Sequence, residues 1–445
     1  MPHVAIIGAG PSGVFAAAAL LKRPELSVDV FDRLPTPFGL VRYGVAPDHV
    51  KIKSVTAALA KVFADPRARF LGNVTLGTDL TVEDLREAYD SVLVATGAPH
   101  ARGLGVPGED LPGNYAAADL VSWYNGHPYT GTAYTTAADA IAVIGAGNVS
   151  IDIARVLLKA GAGLTDSDVP DSVLTALDRH PVREVHVVAR RGAADAKFSP
   201  AELLELEKMA DVDLVVDPVE LDLSATATGR YDTDRTVATR VGIFRRWTER
   251  PRRTGVKELH FRFARSPVEV LGEDHVTGLR LQLNAIGPDG SIAGSSGTED
   301  LPVQAVVRSI GYSGDPLSGL PFDHDRGLIP NIDGRIGPGF YATGWIKRGP
   351  GGIIGSNKAC AIQTVSGLLA DLDAAGEPGT ASALARAQLI TRLGARPEPH
   401  RRLVSWEGWN DIDAAEIALG VTRGRARTKI TDPRRLVDIG ARRAR

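Results

Sequence analysis

Two glycine-rich turns are the part of this chain whose residue types and spacing most directly suggest chemistry. They are residues 8–13, with the sequence GAGPSG, and residues 145–150, with the sequence GAGNVS, and each follows a short apolar run. In a strand–turn–helix unit, glycines permit a tight turn and let the backbone approach a pyrophosphate, while amides at the helix start face the anion. The sequence therefore predicts two dinucleotide sites on one chain, so that one nucleotide can donate a hydride to the other.

Asp32 indicates which nucleotide the first turn binds. It ends the second apolar segment, at the position where a carboxylate accepts hydrogen bonds from ribose hydroxyls. An acid at this position suits an unphosphorylated ribose, so FAD or NAD(H) is favoured over NADP(H). The alternative is a glycine turn that serves packing alone.

The second turn differs from the first at two points. Ser150 stands where the third glycine would be, and the following strand ends on Arg190 and Arg191 rather than on an acid. Planar guanidinium groups match the 2′-phosphate of NADP(H) with paired, charge-assisted hydrogen bonds. The alternative is an exposed basic strand end. The separation of Gly145 and Arg190 exceeds the usual spacing of about 20 residues, so this prediction requires the intervening segment to loop out.

The surrounding pattern predicts the elements that hold these turns. Apolar runs predict strands at 3–7, 28–32, 91–97, 141–144, 185–189 and 340–345, with helices at 14–21, 152–158 and 356–370. Alternating residues between 260 and 310 predict a β-meander, and segments 225–236 and 287–300 are predicted to be surface loops.

We expect an α/β fold with two Rossmann-like dinucleotide-binding domains. The strand ends Thr96-Gly97 and Thr343-Gly344 are alike and bracket the second turn, which indicates that the NADP domain is inserted in the FAD domain. The expected boundaries are 1–104 for the first segment of the FAD-binding domain, 105–320 for the NADP-binding domain, and 321–445 for the second segment and the C-terminal region.

Composition excludes several classes of protein. The 445 residues carry a formal net charge of -2, which gives no indication of a nucleic-acid partner. The one cysteine, Cys360, excludes an internal disulfide, a cysteine-ligated iron–sulfur cluster and the dithiol pair of a disulfide reductase, and it fits a reducing compartment. We see no signal peptide or membrane-spanning run, and expect a cytoplasmic protein with no metal site, no nucleic-acid partner and no membrane insertion.

Longer motifs resemble the adrenodoxin reductase-type ferredoxin–NADP+ reductases. They lie at residues 37–49 (PFGLVRYGVAPDH), 147–155 (GNVSIDIAR), 190–192 (RRG) and 344–350 (GWIKRGP), and the resemblance covers essentially the whole chain. It implies a glutathione reductase-like fold and an FAD enzyme that takes a hydride from NADPH. Such an enzyme passes electrons singly to a ferredoxin-type iron–sulfur protein, for example in cytochrome P450 systems.

The resemblance also implies cofactor contacts at the matching positions. For FAD these are Gly8, Gly10, Pro11, Ser12, Gly13, Asp32, Leu40, Val74, Trp345, Gly352, Ile353 and Ile354. For NADP they are Gly147, Asn148, Val149, Arg190, Arg191, Glu202 and Gly352. Three departures affect loop geometry: Asp32 stands where Glu is usual, Val50 replaces a frequent proline and Gly351 a frequent threonine.

His49 and Glu205 resemble the family's histidine–glutamate pair near the flavin, and they are the catalytic candidates. A hydrogen bond between them would orient the loop and tune the electrostatics of the hydride step. The alternatives are a capping histidine after Asp48 and a solvated face of a helix over residues 200–209.

A basic segment at residues 245–253 suggests where a partner docks. Its arginines are Arg245, Arg246, Arg250, Arg252 and Arg253. Since ferredoxins are acidic, this patch would steer a small acidic ferredoxin, most visibly at low salt. The alternative is an ordinary solvated or phosphate-facing loop, and residues 423–445 form a second basic segment.

Two other functions share parts of this pattern. An NADPH-dependent flavin monooxygenase has the same two turns and needs only oxygen as acceptor, although the motif at residues 37–49 argues against it. A redox sensor that binds both nucleotides without catalysis is the second alternative.

Overall fold

The structure is a computed structural model that describes residues 2–131, 138–179, 182–221, 229, 231–287, 291–352, 354–375 and 383–441. Its strands form two six-stranded sheets, one three-stranded sheet and a two-stranded ribbon. Among the helices of these residues, none has the length and apolar character needed to cross a membrane.

The strands follow one another along the whole described chain. In order they are β1 (His3–Ile7), β2 (Ser27–Asp32), β3 (Ala68–Gly72), β4 (Ser91–Val94), β5 (His100–Ala101), β6 (Asn114–Ala116), β7 (Ala140–Ile144), β8 (Glu184–Val188), β9 (Val212–Val216), β10 (Lys257–Arg262), β11 (Arg265–Leu271), β12 (Gly278–Ile286), β13 (Ile292–Leu301), β14 (Ala305–Arg308), β15 (Tyr312–Ser313), β16 (Arg335–Gly337) and β17 (Phe340–Ala342).

The helices cover the faces of the two large sheets. In order they are α1 (Pro11–Leu20), α2 (Gly39–Tyr43), α3 (Val50–Lys53), α4 (Val55–Ala60), α5 (Val82–Ala88), α6 (Ala117–Tyr124), α7 (Asn148–Lys159), α8 (Asp171–Arg179), α9 (Pro200–Leu206), α10 (Arg235–Thr248), α11 (Trp345–Arg348), α12 (Ile354–Ala375), α13 (Ala383–Gly394), α14 (Trp406–Val421) and α15 (Pro433–Gly440). Short 3₁₀ turns lie at Lys61–Ala64, Ala162–Leu164, Ala193–Asp195, Pro218–Leu221 and Pro399–Arg401.

The first sheet is built from two separate parts of the chain. Its order is β16-β17-β4-β1-β2-β3, and every neighbouring pair is parallel except β16 with β17. Strands β1, β2 and β4 are buried along nearly their whole length, as their Val, Ile and Leu content predicts for a parallel sheet covered on both faces. Because β17 pairs with β4, the chain returns to this sheet after more than two hundred intervening residues.

The second sheet lies entirely within that intervening segment. Its order is β6-β14-β7-β8-β10-β9, with all neighbours parallel. The ribbon of β5 with β15 lies where the chain passes between the two sheets. The expected fold, with one dinucleotide-binding unit inserted in another, is confirmed. We call the part around the first sheet the first unit and the part around the second sheet the second unit; the boundaries after residues 104 and 320 stay predictions.

The predicted β-meander is only partly correct. Strands β11, β12 and β13 form an antiparallel sheet, but β10 and β14, which were expected in the meander, belong to the parallel second sheet. The loop predicted at 287–300 is wrong from residue 292 onward, because β13 pairs with β12 despite its small and polar residues, and residues 288–290 lie outside the described residues. In the loop predicted at 225–236, residues 225–228 and 230 lie outside the described residues, while the described remainder is mostly helical and its end belongs to α10.

Lys429 joins the two units through buried polar contacts. Its fully buried Nζ donates to the carbonyl oxygens of Arg42 at 3.0 Å and Asn125 at 2.9 Å, and lies 3.0 Å from Asp168 Oδ2. Lys53 Nζ also donates to Asp168, at 2.8 Å. These contacts fix α2 and α3 of the first unit against the segment after α6 of the second unit.

Candidate functional site

The first glycine turn leads from β1 into α1, and its glycines have different surroundings. A Cβ at Gly13 would lie 1.9 Å from the carbonyl oxygen of Gly8, so no larger residue fits there. A Cβ at Gly10 would meet nothing within 4 Å, so the middle of the turn is open. Gly10 precedes Pro11 at the start of α1 and has no side chain to cap the helix, so the first amides, including that of Ser12, remain available to an anion.

Asp32 ends β2 directly beside this turn. Its Oδ2 accepts the amide of Ala9 at 2.7 Å and its Oδ1 accepts the amide of Leu34 at 2.8 Å. The side chain is almost fully buried, and burial raises the pKa of Asp32 above its usual value. Both oxygens therefore already hold backbone amides around the turn, and the predicted contact of Asp32 with a ribose stays a prediction.

Two further residues expected to contact FAD lie at the same edge of the first sheet. The amide of Val74 donates to the carbonyl oxygen of Asp32 at 2.9 Å. Leu40 lies on α2 and is 46% exposed, next to Gly39, where a Cβ would lie 3.1 Å from Gly10 Cα. The structure thus brings α2 up to the open side of the first turn.

Trp345 approaches the turn from the other end of the chain. Its Nε1 donates to the carbonyl oxygen of Gly351 at 3.1 Å, and its ring stacks on Tyr312 with centroids 5.9 Å apart. The preceding Gly344 is pressed against α1, since a Cβ there would lie 2.2 Å from Ser12 Oγ. Because the carboxyl ends of parallel strands share one edge of a sheet, the ends of β1, β2, β3 and β17 lie at the same edge.

The remaining FAD candidates lie at the start of α12. Gly352 has a positive φ of 79°, and a Cβ there would lie 2.2 Å from Ser356 Oγ, so the local backbone itself requires glycine at this position. Ile354 begins α12, which packs against α1. Ile353 lies outside the described residues.

The region around the first turn fits a flavin dinucleotide. The open glycine and the uncapped helix start suit a pyrophosphate, and the exposed part of Leu40 with the half-buried ring of Trp345 offers apolar surface for a planar ring system. The residues present are therefore those that would hold FAD.

The second glycine turn leads from β7 into α7 and is tied to α9. A Cβ at Gly147 would meet nothing within 4 Å, so this turn also has an open middle glycine. Asn148 Oδ1 accepts the amide of Ser199, the residue that caps α9, at 2.8 Å. Ser150 is fully buried, and its Oγ has no hydrogen-bond partner among the described residues. Val149 packs on the core of the second unit.

Arg190 and Arg191 follow β8, the strand next to β7, as the NADP(H) prediction requires. Their carbonyl oxygens are held by Asn284 Nδ2 at 2.8 Å and by the amide of Ala264 at 3.1 Å. Both side chains are exposed, and neither has a hydrogen bond or ion pair with any residue that the structure describes. Two unpaired guanidinium groups beside an open helix start fit a nucleotide with an additional phosphate.

His49 and Glu205 meet between the two units. His49 Nε2 lies 3.0 Å from Glu205 Oε2, so the two side chains are in contact, while their catalytic role stays a prediction. The same nitrogen lies 3.4 Å from Glu202 Oε2 and 2.8 Å from Arg155 Nη2. Since Arg155 only donates, Nε2 cannot accept from it and donate to Glu205 at the same time. Glu202, expected at the NADP, belongs to this cluster in the structure.

Arg155 also belongs to this cluster, although the motif at residues 147–155 assigned it no role. Its guanidinium is 2% exposed and donates to Asp48 at 2.8 and 3.0 Å and to Asp152 at 2.8 Å. Lys159 Nζ donates to the same Asp48 at 2.8 Å. Burial alone would raise the pKa of Asp48, but the hydrogen bonds and charges of Arg155 and Lys159 outweigh it and hold that pKa well below its usual value. The sequence feature that could have indicated this cluster is an arginine among the apolar positions of α7.

The basic segment at 245–253 is largely paired within the protein. Arg246 and Arg250 both approach Glu207, at 3.5 and 3.0 Å. Arg252 donates to Asp213 at 2.7 Å, and Arg253 lies 3.8 Å from the same carboxylate. Arg245 differs from these four, because its guanidinium lies over the ring of Tyr231 at 5.0 Å.

Comparisons with known proteins agree with this geometry. A family described as pyridine nucleotide-disulphide oxidoreductase matches residues 2–218. The chain is similar to NADPH-ferredoxin reductase FprA of Mycobacterium tuberculosis strain H37Rv, with 42% identity over 98% of this chain and 99% of the relative. It is also similar to the mitochondrial NADPH:adrenodoxin oxidoreductase of Homo sapiens, with 35% identity over 98% of this chain and 92% of the relative.

A solved structure extends the similarity to three dimensions. Mycobacterium tuberculosis FprA in complex with NADPH has a TM-score of 0.91 to this chain, with 41% identity and 99% of each chain covered. The similarity therefore includes both sheets and the region between them.

Proposed function

Because the chain belongs to the adrenodoxin reductase-type family of NADPH-ferredoxin reductases, we propose that it transfers electrons from NADPH to a ferredoxin-type iron–sulfur protein through FAD. The observation that carries the proposal is the pair of unlike dinucleotide turns on adjoining sheets. The first has the buried Asp32 beside it, and the second has Arg190 and Arg191, which have no partner among the described residues. One chain thus offers separate places for two nucleotides that differ by a 2′-phosphate.

The two nucleotides supply the redox chemistry when bound, since a nicotinamide gives up a hydride and a flavin can accept it and release electrons singly. The first turn with Val74, Leu40 and Trp345 would hold FAD, while the second turn with Arg190 and Arg191 would hold NADPH. The chain itself contributes binding and orientation.

His49 has a positioning role in this proposal. The hydrogens of Arg155 Nη2 have carboxylate acceptors on Asp48 and Asp152, so the hydrogen on His49 Nε2 is free to go to Glu205. That bond links the loop after α2 in the first unit to α9 in the second unit. It would therefore help to hold the two units at a constant separation, with a carboxylate near the rings of the bound nucleotides.

The positioning role is tested by stopped-flow measurement of flavin reduction. We expect His49→Gln and Glu205→Gln to slow reduction by NADPH while the FAD content stays the same. His275→Gln, which removes an exposed histidine of the second unit, is the matched control. Unchanged rates in both variants would refute the role.

The electron-transfer function is tested by anaerobic titration of the purified protein with NADPH, with and without a panel of ferredoxins, followed by cytochrome reduction. We expect NADPH to bleach the flavin, and cytochrome reduction to require a ferredoxin. Oxygen consumption that depends on an organic substrate and needs no ferredoxin would instead show a monooxygenase. Failure to oxidise NADPH even with ferricyanide would leave a nucleotide-binding sensor.

The docking of a small acidic ferredoxin near Arg245, Arg246, Arg250, Arg252 and Arg253 is part of the proposal. All five side chains lie at the surface, and exposed ion pairs such as those with Glu207 contribute little, so a partner's carboxylates can replace them. Arg245, which has no carboxylate partner in the described residues, is the best position for a test.

We expect Arg245→Glu to raise the KM for ferredoxin at low salt and to have little effect at high salt, because salt screens the attraction. Arg434→Glu changes an exposed arginine on α15 by the same charge and is the matched control. Equal KM values in the two variants at every salt concentration would refute this docking site.

A cytoplasmic location is also part of the proposal. Cys360 is the one cysteine of the sequence, and it is buried and unpaired, which suits a reducing compartment. Cell fractionation with a cytoplasmic marker tests it, and recovery of the protein outside that fraction would contradict it.

A further inference from the structure

A group of histidine and glutamate side chains lies on the second sheet. β8 and β10 are parallel neighbours whose register sets Glu184 beside Glu258 and His186 beside His260. Residues two apart in a strand point to the same face, so these four side chains project together. They lie toward the amino ends of both strands, whereas Arg190 follows the carboxyl end of β8. The group is thus separate from the nucleotide turn.

Three atoms that commonly bind metals converge in this group. Glu184 Oε1 lies 3.0 Å from His186 Nε2 and 3.0 Å from His260 Nε2. The ligand atoms of the three residues all lie within 4.8 Å of one another. The two rings lie side by side, with centroids 4.7 Å apart and planes tilted by 32°.

The hydrogens present satisfy only part of this arrangement, in which His186 Nε2 can donate to Glu184. Glu184 and Glu258 both approach His260 Nε2, at 3.0 and 2.8 Å, although a neutral imidazole carries only one hydrogen. Among the described residues, no lysine or arginine lies within ion-pair distance of Glu184, whose partners are the two histidines. A cation at the point of convergence would satisfy both rings and the carboxylate.

A similar group around His49 shows what this one lacks. His49, Glu202 and Glu205 have the same kind of geometry, but there the guanidinium of Arg155 lies 2.8 Å from His49 Nε2 and supplies a permanent cation. At His186 and His260 no protein cation occupies the corresponding position in the described residues.

We propose that Glu184, His186 and His260 bind a divalent transition-metal ion of the zinc class, with water or Glu258 completing the coordination. Two imidazoles and a carboxylate suit Zn²⁺, Co²⁺ or Ni²⁺ rather than Mg²⁺ or Ca²⁺, which prefer oxygen ligands throughout. The ion would cross-link β8 to β10 and stabilise the second sheet. This site is independent of the electron-transfer function and reverses the expectation, from the sequence, of no metal site.

Metal binding requires Arg262 to release His186. Arg262 Nε donates to His186 Nδ1 at 3.1 Å, which places the hydrogen of this ring on Nε2. When Nε2 binds the ion, that hydrogen must move to Nδ1, so Arg262 has to turn away. Glu299 offers it an alternative partner, since its Oε1 lies 4.0 Å from Arg262 Nη1.

The test is calorimetric titration of the chelator-treated full chain with Zn²⁺, with Mg²⁺ as the comparison ion. We expect one Zn²⁺ per chain and no Mg²⁺ binding at the same concentration. Glu184→Gln and His260→Gln should weaken Zn²⁺ binding by at least about 10-fold. This lower limit is the loss that follows when a residue that only supports a metal ligand is removed. His275→Gln should have no effect, and Arg262→Leu should tighten binding because it removes the competing donor.

Two results would overturn the proposal. One is the absence of Zn²⁺ binding by the wild-type chain. The other is unchanged Zn²⁺ binding by Glu184→Gln and His260→Gln, with circular dichroism and melting temperature showing that both variants are folded. We avoid replacing His186, because it is 2% exposed and its loss can unfold the sheet. The rate of flavin reduction, measured with and without Zn²⁺, should not change.

Discussion

The two glycine turns have the same backbone plan but differ at the positions that select a ligand. In the first, Gly13 is pressed against the carbonyl oxygen of Gly8, and the carboxylate of Asp32 is buried and bonded to backbone amides. In the second, Ser150 occupies the third position, and Arg190 and Arg191 are exposed, with no partner in the part of the chain that the structure describes. In the proposed function, the turn would hold a pyrophosphate in both units, while the end of the following strand would select between nucleotides.

The largest effect is expected from giving the first turn the residue of the second. Gly13→Ser places a Cβ 1.9 Å from a backbone oxygen, so the turn cannot close and α1 cannot pack against β1. We expect loss of bound FAD, measured as flavin absorbance per chain, and a lower melting temperature. The matched variant, Ser150→Gly, should keep both. Retention of FAD by Gly13→Ser would show that the two turns are interchangeable.

Next in size is the loss of the two arginines. Each charge-assisted hydrogen bond contributes about 1.5–3 kcal/mol, so Arg190→Ala with Arg191→Ala should raise the KM for NADPH on the order of 100-fold or more. The KM for NADH should stay nearly unchanged, because NADH has no 2′-phosphate. An equal rise for both nucleotides would mean that these residues support the fold rather than the phosphate.

A smaller effect is expected from Asp48, which joins the two units through its contact with Arg155. Asp48→Asn leaves the buried Arg155 only partly paired, which should lower the free energy of unfolding by about 3 kcal/mol at neutral pH. A carboxylate whose pKa is lowered by folding stabilises the folded state at pH values above its unfolded pKa of 3.8. That stabilisation is lost as the pH falls below 3.8 and through the folded-state pKa.

Acid unfolding followed by circular dichroism measures this contribution. The difference between the wild type and Asp48→Asn should be greatest at neutral pH and should shrink below pH 3.8. A constant difference across the whole range would rule out Asp48 as its source.

The smallest effect concerns the unsatisfied hydroxyl of the second turn. Ser150 Oγ is buried without a partner, so Ser150→Ala should stabilise the nucleotide-free protein by about 1 kcal/mol. Differential scanning calorimetry measures the change. Destabilisation would indicate that the hydroxyl has a partner such as an internal water.

Local pattern was enough to predict the turns and their strands. β1, β2, β7 and β8 lie within a residue or two of their expected positions, since each is a short run rich in apolar residues that ends at a glycine turn, at Asp32 or at a pair of arginines. Gly145 and Arg190 are far apart in the sequence, yet they follow neighbouring strands. The intervening segment contains α8, and β8 still pairs with β7.

Features that depend on pairing between distant segments were not predictable in the same way. β13 has the composition of a loop and becomes a strand only because β12 lies beside it. The contact of His186 with His260 depends on the register of β8 and β10, and the role of Arg155 depends on the approach of Asp48 from the other unit. Such contacts are set by tertiary structure, which a single sequence does not show directly.

The pairing of β17 with β4 has a consequence for how the nascent chain folds on the ribosome. Synthesis proceeds from the amino end, so β4 emerges with one open edge and keeps it until residues 340–342 have been made. The second unit, whose strands are continuous in the chain, has everything it needs to fold during that interval. The part of the protein that starts first is therefore completed last, and its exposed strand edge must be protected from aggregation while the second unit is translated.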